Sequence, residues 1–334
     1  MIVSVQSAVL HILDSANRLP MLSEHELDLE DGMINTYITR HIEKVYDDAA
    51  HRKGEFKSSS GLKYHINEYK AKNTDIVGLS RVIANRLFDA LTQTQDAQIC
   101  DIIVCELIIN ESSVIGILKL DNKIGFTHKV TKDENGITNN LINHYAILPT
   151  ATQRIGEYAF IDTADLSIRY KGSKYSIDGE KTDIFAELLL ECEYELSSRE
   201  AVNTVTKAAK KVTEENGGDT LETVARIKEC VIDNIEEKKP LSPTDIAEHV
   251  FDGRPAMKEE FNAKLENSAV PDEIEVNPYV KKKVTSNIRL VTDTGVELSF
   301  PSEYYSNSEY FDIINNEDGT FSIQINKIGE LINK

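Results

Sequence analysis

Several short strings in this chain place a glutamate two residues before a lysine. On a strand, that spacing lets carboxylates hold a metal ion while the ammonium steadies an attacking water, the chemistry of a metal-dependent nuclease. Glu55-Phe-Lys57 has Asp48 upstream, and Glu68-Tyr-Lys70 and Glu236-Glu-Lys238 repeat the string. Its recurrence in a Glu/Lys-rich chain marks the pattern as ordinary solvated charge, and Glu55 with Lys57 stands as the least favoured of three functional readings. No phosphate-cradling G-x-x-x-x-G-K-[ST], no G-x-G-x-x-G and no G-x-S-x-G elbow is present. The four cysteines, Cys100, Cys105, Cys192 and Cys230, lack zinc spacing, and the histidines are scattered. The thiols read as reduced and buried, with Cys100 and Cys105 on opposite faces of one strand, and His41 reads as a packing residue. No metal and no cofactor is implied.

The residues that remain chemically suggestive are basic islands in an acidic chain. Residues 51–72 carry Arg52, Lys53, Lys57, Lys63, Lys70 and Lys72 against Glu55 and Glu68, with Tyr64 and Tyr69 interleaved. A flexible, basic, aromatic segment of this kind suits a nucleic-acid backbone. A second island, Arg169, Lys171, Lys174 and Lys181, surrounds Gly172 and Ser173, whose amides offer further phosphate donors. Lys207, Lys210 and Lys211 recur at helical spacing opposite an apolar stripe. Lys281-Lys282-Lys283 with Arg289 is the densest island and directly follows an acidic stretch.

The elements that must position these islands follow from periodicity. Residues 1–13 read as a strand, without the basic leader of a signal peptide. Ile34, Ile38, Ile42 and Val45 predict a helix, residues 52–72 break periodicity, and Ile76, Leu79, Ile83, Leu87 and Ala90 predict another. From Ile99 to Ile161 the texture is that of an antiparallel meander, with turn signals at Asp121-Asn122 and Asn135-Gly136. Helices return at Asp183. Ser197-x-x-Glu200 is a capping box, Asn216-Gly217-Gly218 stops that helix, and Ser242-Pro243 opens a short one. Alternation at Val296, Leu298 and Phe300, and at Phe321, Ile323 and Ile325 after Asp318-Gly319, makes the end β-rich. The fold class is α+β, expected as an N-terminal α+β domain over 1–180, a helical segment over 181–270 and a small β-rich module over 271–334.

Composition limits function. Across 334 residues there are 37 Lys plus Arg against 56 Asp plus Glu, a formal charge of −19, with 40% hydrophobic residues. That apolar content supports a globular core, and no apolar run is long enough to cross a membrane. The negative charge is spread over both halves, which excludes a histone-like coat and leaves room for binding at local basic sites.

The order of these segments resembles the NdpA family of bacterial nucleoid-associated proteins over nearly the whole chain. The likeness is carried by Gln6-Ser-Ala-Val-Leu-His11, by Leu79-Ser-Arg-Val-Ile-Ala-Asn-Arg-Leu-Phe-Asp-Ala-Leu91 running into the strands 99–120, by Leu166-Ser-Ile-Arg-Tyr-Lys-Gly172 with Thr182-Asp-Ile-Phe185, and by the helix start at 197–205. The chain departs from it at Leu188-Leu-Leu-Glu-Cys192 and in the Ser-rich loop. The resemblance implies a non-catalytic bacterial nucleoid protein that binds double-stranded DNA. Cytoplasmic, nucleoid localisation is expected. The contacts expected are Arg52, Lys53, Lys57, Lys63, Lys70, Lys72, Arg169, Lys171, Lys174, Lys207, Lys210 and Lys211. The rival is an adaptor whose acidic surface binds a basic DNA-handling protein. A homodimer is compatible with either, without an interface legible in the sequence.

Overall fold

The runs Ile102–Cys105, Leu107–Ile109 and Val114–Leu118 carry no polar alternation. A strand reads that way when both faces of its sheet are covered. A computed structural model shows this arrangement. It describes residues 1–48, 50–95, 99–134, 136–237, 239–266, 268–275, 288–301, 304, 309–316 and 320–330. The chain divides into two compact units, Met1–Glu195 and Leu196–Lys334.

The first unit is built on an eight-stranded antiparallel sheet. Its strands are β1 (Val3–Asp14), β2 (Leu19–Met21), β3 (Arg52–Phe56), β4 (Ile99–Ile109), β5 (Ser112–Asp121), β8 (Glu157–Asp162), β9 (Ile168–Lys171) and β12 (Cys192–Tyr194). Their order across the sheet is β12-β3-β9-β8-β5-β4-β1-β2. One face packs Val9, Leu13, Ile102, Val104, Ile117 and Ile161 against α2 (Gly61–Lys70), α3 (Ile76–Thr92) and a π-helix over Phe185–Leu190. The other packs Ala8, Ile103, Leu107, Leu118 and Phe160 under α1 (Gly32–Val45), through Ile38, Ile42 and Val45. Cys100 lies in the first cluster and Cys105 in the second, on opposite faces as their spacing predicts.

Two expectations for this unit are corrected. The segment 52–72 is not an aperiodic loop but a strand and a helix. Gly54 and Phe56 turn inward from β3, Ser60 accepts a hydrogen bond from the Lys63 amide as an N-cap, and Leu62 and Ile66 bury one face of α2. Serines that suggest flexibility are here turn and cap residues. The meander is also interrupted. β6 (Lys123–Asp133) and β7 (Gly136–Ile147) leave the sheet and, among the described residues, pair with each other alone, so that β8 continues from β5. Of the turn signal between them, Asn135 lies outside the described residues. After β9 the chain forms a small hairpin of β10 (Lys174–Ile177) and β11 (Glu180–Asp183).

The second unit opens with α4 (Ser198–Glu215), where both halves of the capping box are formed. α5 (Thr220–Glu237), α6 (Pro243–Val250) and α7 (Pro255–Leu265) complete a helical core around Val205, Val212, Ile227, Ile246, Phe251 and Phe261. Periodicity missed α7, because only Met257 and Phe261 are buried on it. The strand pairs β13 (Ile288–Val291) with β14 (Glu297–Phe300), and β15 (Phe311–Asn315) with β16 (Phe321–Ile325), form the β-rich end. The Asp318-Gly319 turn lies outside the described residues. No helix among the described residues is long and apolar enough to cross a membrane.

Candidate nucleic-acid interface

Helix α1 covers β1, β4, β5 and β8, but none of its core partners comes from β9, β3 or β12. The last three strands therefore present a bare sheet face, an open groove of about 630 Å³ lined by Lys53, Glu55, Arg169, Glu193, Tyr194 and Glu195 among others. Register determines which charges meet there. Lys53 stands directly opposite Arg169, and Glu55 directly opposite Glu193. Two basic islands remote in sequence thus become one basic row, bordered on the edge strand by an acidic row. Arg169 is held in place by its guanidinium over the Tyr46 ring, 5.2 Å from the centroid. Gly54 is required between these rows, since a Cβ there would lie 2.9 Å from the Glu193 carbonyl oxygen.

The side chain next to Lys53 points the other way, because strand residues alternate faces. Arg52 forms a 2.5 Å ion pair with the fully buried Asp183, between the rings of Tyr170 and Tyr194. Burial raises the Asp183 carboxyl above its usual range, and the Ala186 amide and Arg52 charge offset part of that rise. Arg52 thereby serves as the counter-ion of the buried Asp183. Lys63 and Lys70 ride on α2, whose Leu62 and Ile66 pack on the opposite face of the sheet from the groove. Lys57, Lys70 and Lys72 are exposed and Lys63 is half-buried. Lys171 continues the line of Arg169 along β9, and Lys174 is exposed at the start of β10. The Ser173 amide expected for phosphate donates instead to Glu157 Oε1 at 3.1 Å.

In the second unit, Lys207, Lys210 and Lys211 are exposed on α4 opposite the buried Val202, Val205, Ala209 and Val212, with Lys211 3.9 Å from Glu215. Lys281, Lys282 and Lys283 lie outside the described residues, and Arg289 pairs with Glu297. Of the nuclease strings, Glu68-Tyr-Lys70 lies on a helix, and Glu236-Glu237 end α5 with Lys238 outside the described residues. Asp48, upstream of Glu55, receives Arg154 at 2.8 Å and the Ala50 amide, so its carboxylate is committed to the fold. Among the described residues no three His, Cys, Asp or Glu side chains are grouped to hold a metal.

Two polar clusters escaped the sequence reading. Lys119, buried in an apolar strand, reaches Glu157 at 2.6 Å, Asp121 at 2.5 Å and the Tyr175 hydroxyl at 3.2 Å. Burial alone lowers its pKa, and the adjacent Glu157 charge more than reverses this, holding the ammonium protonated. A lone lysine in a run of aliphatic residues was the available signal. The other joins the segments that carry the family likeness. His11 of β1 meets Ser80 of α3 at 2.9 Å, while Arg86 donates to the Leu188 and Leu189 carbonyls and pairs with Glu191 at 2.9 Å. These residues brace the sheet, α3 and the π-helix. His41 is buried against the ring of Tyr37.

The family model described as nucleoid-associated protein YejK matches residues 9–332. None of the curated proteins matches the chain.

Proposed function

We propose, from the premise that this chain belongs to the family of the nucleoid-associated protein YejK, that it binds double-stranded DNA without catalysis, in the bacterial cytoplasm and on the nucleoid. The observation that carries this reading is the register that sets Lys53 opposite Arg169 on the uncovered end of the sheet. A row of cations on a bare face of regular backbone suits a phosphate backbone, and base edges play no part in such a contact. Lys171 continues the row along β9, Lys174 adds an exposed cation on the separate β10–β11 hairpin, and Lys57 directly follows β3. Lys207, Lys210 and Lys211 supply a separate contact from the second unit, and Lys63, Lys70 and Lys72 are peripheral. The overall charge of −19 confines binding to such local sites and makes it sensitive to salt. The test is affinity for random-sequence duplex DNA across a salt series. A steep fall with salt is expected, with little sequence preference. Affinity indifferent to salt, or no binding at low salt, overturns the reading.

The acidic row favours a second reading. Glu55, Glu193 and Glu195 line the same groove, and like charges opposed across a ladder cost stability unless something basic meets them. A basic surface of a DNA-handling protein would satisfy that row, making the chain an adaptor. In that case a partner is recovered with the protein after nuclease treatment. Loss of every partner on such treatment excludes it.

A further inference from the structure

Residues 122–156 carry two acids, Asp133 and Glu134, in a chain where 56 of 334 residues are acidic, and both fall at the tip of the β6–β7 hairpin. The same stretch holds Lys123, Lys129, Lys132 and Arg154. The hairpin forms a sheet of its own, and every described side chain from Phe126 to His144 is exposed. Its register gives two unlike faces. One mixes Phe126, Val130, Ile137 and Leu141 with His128, Lys132 and two asparagines. The other carries Thr127, Lys129, Thr131, Thr138 and Asn140, with Ile142 and His144 toward its base. Lys129 stands directly opposite Asn140, and Thr131 opposite Thr138. The base of the arm is tied down, since Asn122 donates to Asp101 at 3.0 Å and Tyr37 of α1 to the Pro149 carbonyl at 2.8 Å. The ribbon beyond it is bare on both sides, and an isolated two-stranded ribbon is marginal in water.

We infer that the Lys129–Asn140 face of this arm lies in the major groove of duplex DNA, where those two side chains meet base edges. The inference rests on the reading of the protein as a duplex-DNA binder, and it adds a contact separate from the Lys53–Arg169 row. Three observations select this occupant. Charge is the first, because an arm with acids at its tip alone is where a molecule of charge −19 approaches phosphates against least repulsion. Dimensions are the second. The 11 residues of β6 span about 37 Å at ~3.4 Å per residue, close to one turn of the duplex, and a two-stranded ribbon fits the width of the major groove. Chemistry is the third. Lysine donates to guanine O6 and N7, asparagine pairs with adenine N6 and N7, threonine hydroxyls serve several bases, and Ile142 suits a thymine methyl. A protein is the poorer occupant, because the core of a protein interface is depleted of charge and here His128 and Lys132 interrupt the aliphatic side chains of the other face. Lys129 and Asn140 read a couple of base pairs at most, a word that recurs in any long duplex, so overall sequence preference stays weak.

Dimethyl sulfate footprinting of the full chain on a mixed-sequence duplex tests it, because the reagent methylates guanine N7 in the major groove and adenine N3 in the minor groove. Wild type should protect guanine N7 and leave adenine N3 reactive. Lys129→Ala/Asn140→Ala should bind about tenfold more weakly and lose the N7 protection. Lys53→Gln/Arg169→Gln should weaken binding yet keep the N7 protection at saturating protein. Val130→Ser/Leu141→Ser, on the other face, should bind and protect as wild type does. Wild-type binding that leaves N7 reactive, or a Lys129→Ala/Asn140→Ala variant that binds and protects normally, overturns this inference while the DNA reading stands. Tighter binding to either single strand than to the duplex overturns groove docking, and a loss in Val130→Ser/Leu141→Ser as large as in Lys129→Ala/Asn140→Ala overturns the choice of face. No wild-type binding to the duplex at low salt overturns the DNA reading and this inference together.

Discussion

Lys53 on β3 stands directly opposite Arg169 on β9, on the end of the sheet that α1 leaves bare. Opposed like charges on neighbouring strands raise the local positive potential, which attracts anions to that spot. This pair converts two unrelated stretches of sequence into one candidate phosphate contact.

Lys53→Gln and Arg169→Gln should each weaken duplex DNA binding uniformly across sequences. Each should also reduce the slope of log affinity against log salt by about 0.9, the signature of one lost phosphate contact. Arg52→Gln should behave differently, destabilising the fold by stranding Asp183 in the core while leaving the salt slope of the folded fraction unchanged. Fluorescence anisotropy titrations at several salt concentrations, with parallel urea unfolding, separate the two outcomes.

Neutralising the acidic row has the opposite sign. Glu55→Gln/Glu193→Gln should tighten DNA binding roughly two- to fivefold at low salt, an effect that shrinks as the Debye length shortens. In the adaptor reading the same double variant loses its protein partner in a pull-down. One protein preparation therefore distinguishes the two functions.

Stability should depend on His11. The Ser23 amide donates to Nδ1 at 3.0 Å, so Nε2 carries the proton toward Ser80, whose hydroxyl donates to the Val77 carbonyl. Protonation would set Nδ1–H against another N–H. Burial, followed by the charge of Arg81, lowers the pKa from 6.5 to about 4. Between those values the unfolded chain binds more protons than the folded one. The stabilisation is fully present above pH 6.5 and is lost progressively as pH falls toward 4, by about 3 kcal/mol in total. Urea unfolding from pH 7.5 to 4 should show this loss, and the His11 ring should not titrate by NMR above pH 5.

Lys119→Met should cost ~3–5 kcal/mol, because it leaves the Glu157 carboxylate buried beside Tyr175 without its cation. Adding Glu157→Gln should recover much of that loss, a coupling that a double-mutant cycle in urea measures. Asp121 is more than half exposed, so Asp121→Asn should change stability by less than about 1 kcal/mol.

Local chemistry was legible where it acts over a few residues. The opening strand, α1, α3, the apolar runs of β4 and β5, the capping box at Ser197 and the α4 stop at Asn216 all follow from periodicity and from backbone groups seeking nearby partners. Signals that depend on a distant partner were misread. The serines of 58–60 suggested a flexible loop, yet Ser60 caps α2 and donates to the Leu190 carbonyl, so the segment is ordered by the π-helix end. The alternation of β3 says that Arg52 and Lys53 face opposite ways, but not which of them meets Asp183 and which the bare face.

The sequence by itself determined the fold class, the buried thiols and the net acidity broken by local basic islands, because composition and periodicity are properties of neighbours along the chain. Tertiary structure alone decided which islands become a surface. Only sheet register brings Lys53 to Arg169 and Glu55 to Glu193, and only the limited reach of α1 leaves them uncovered. Register and coverage arise from contacts between residues far apart in the chain, and those contacts decide which charges solvent and partners meet.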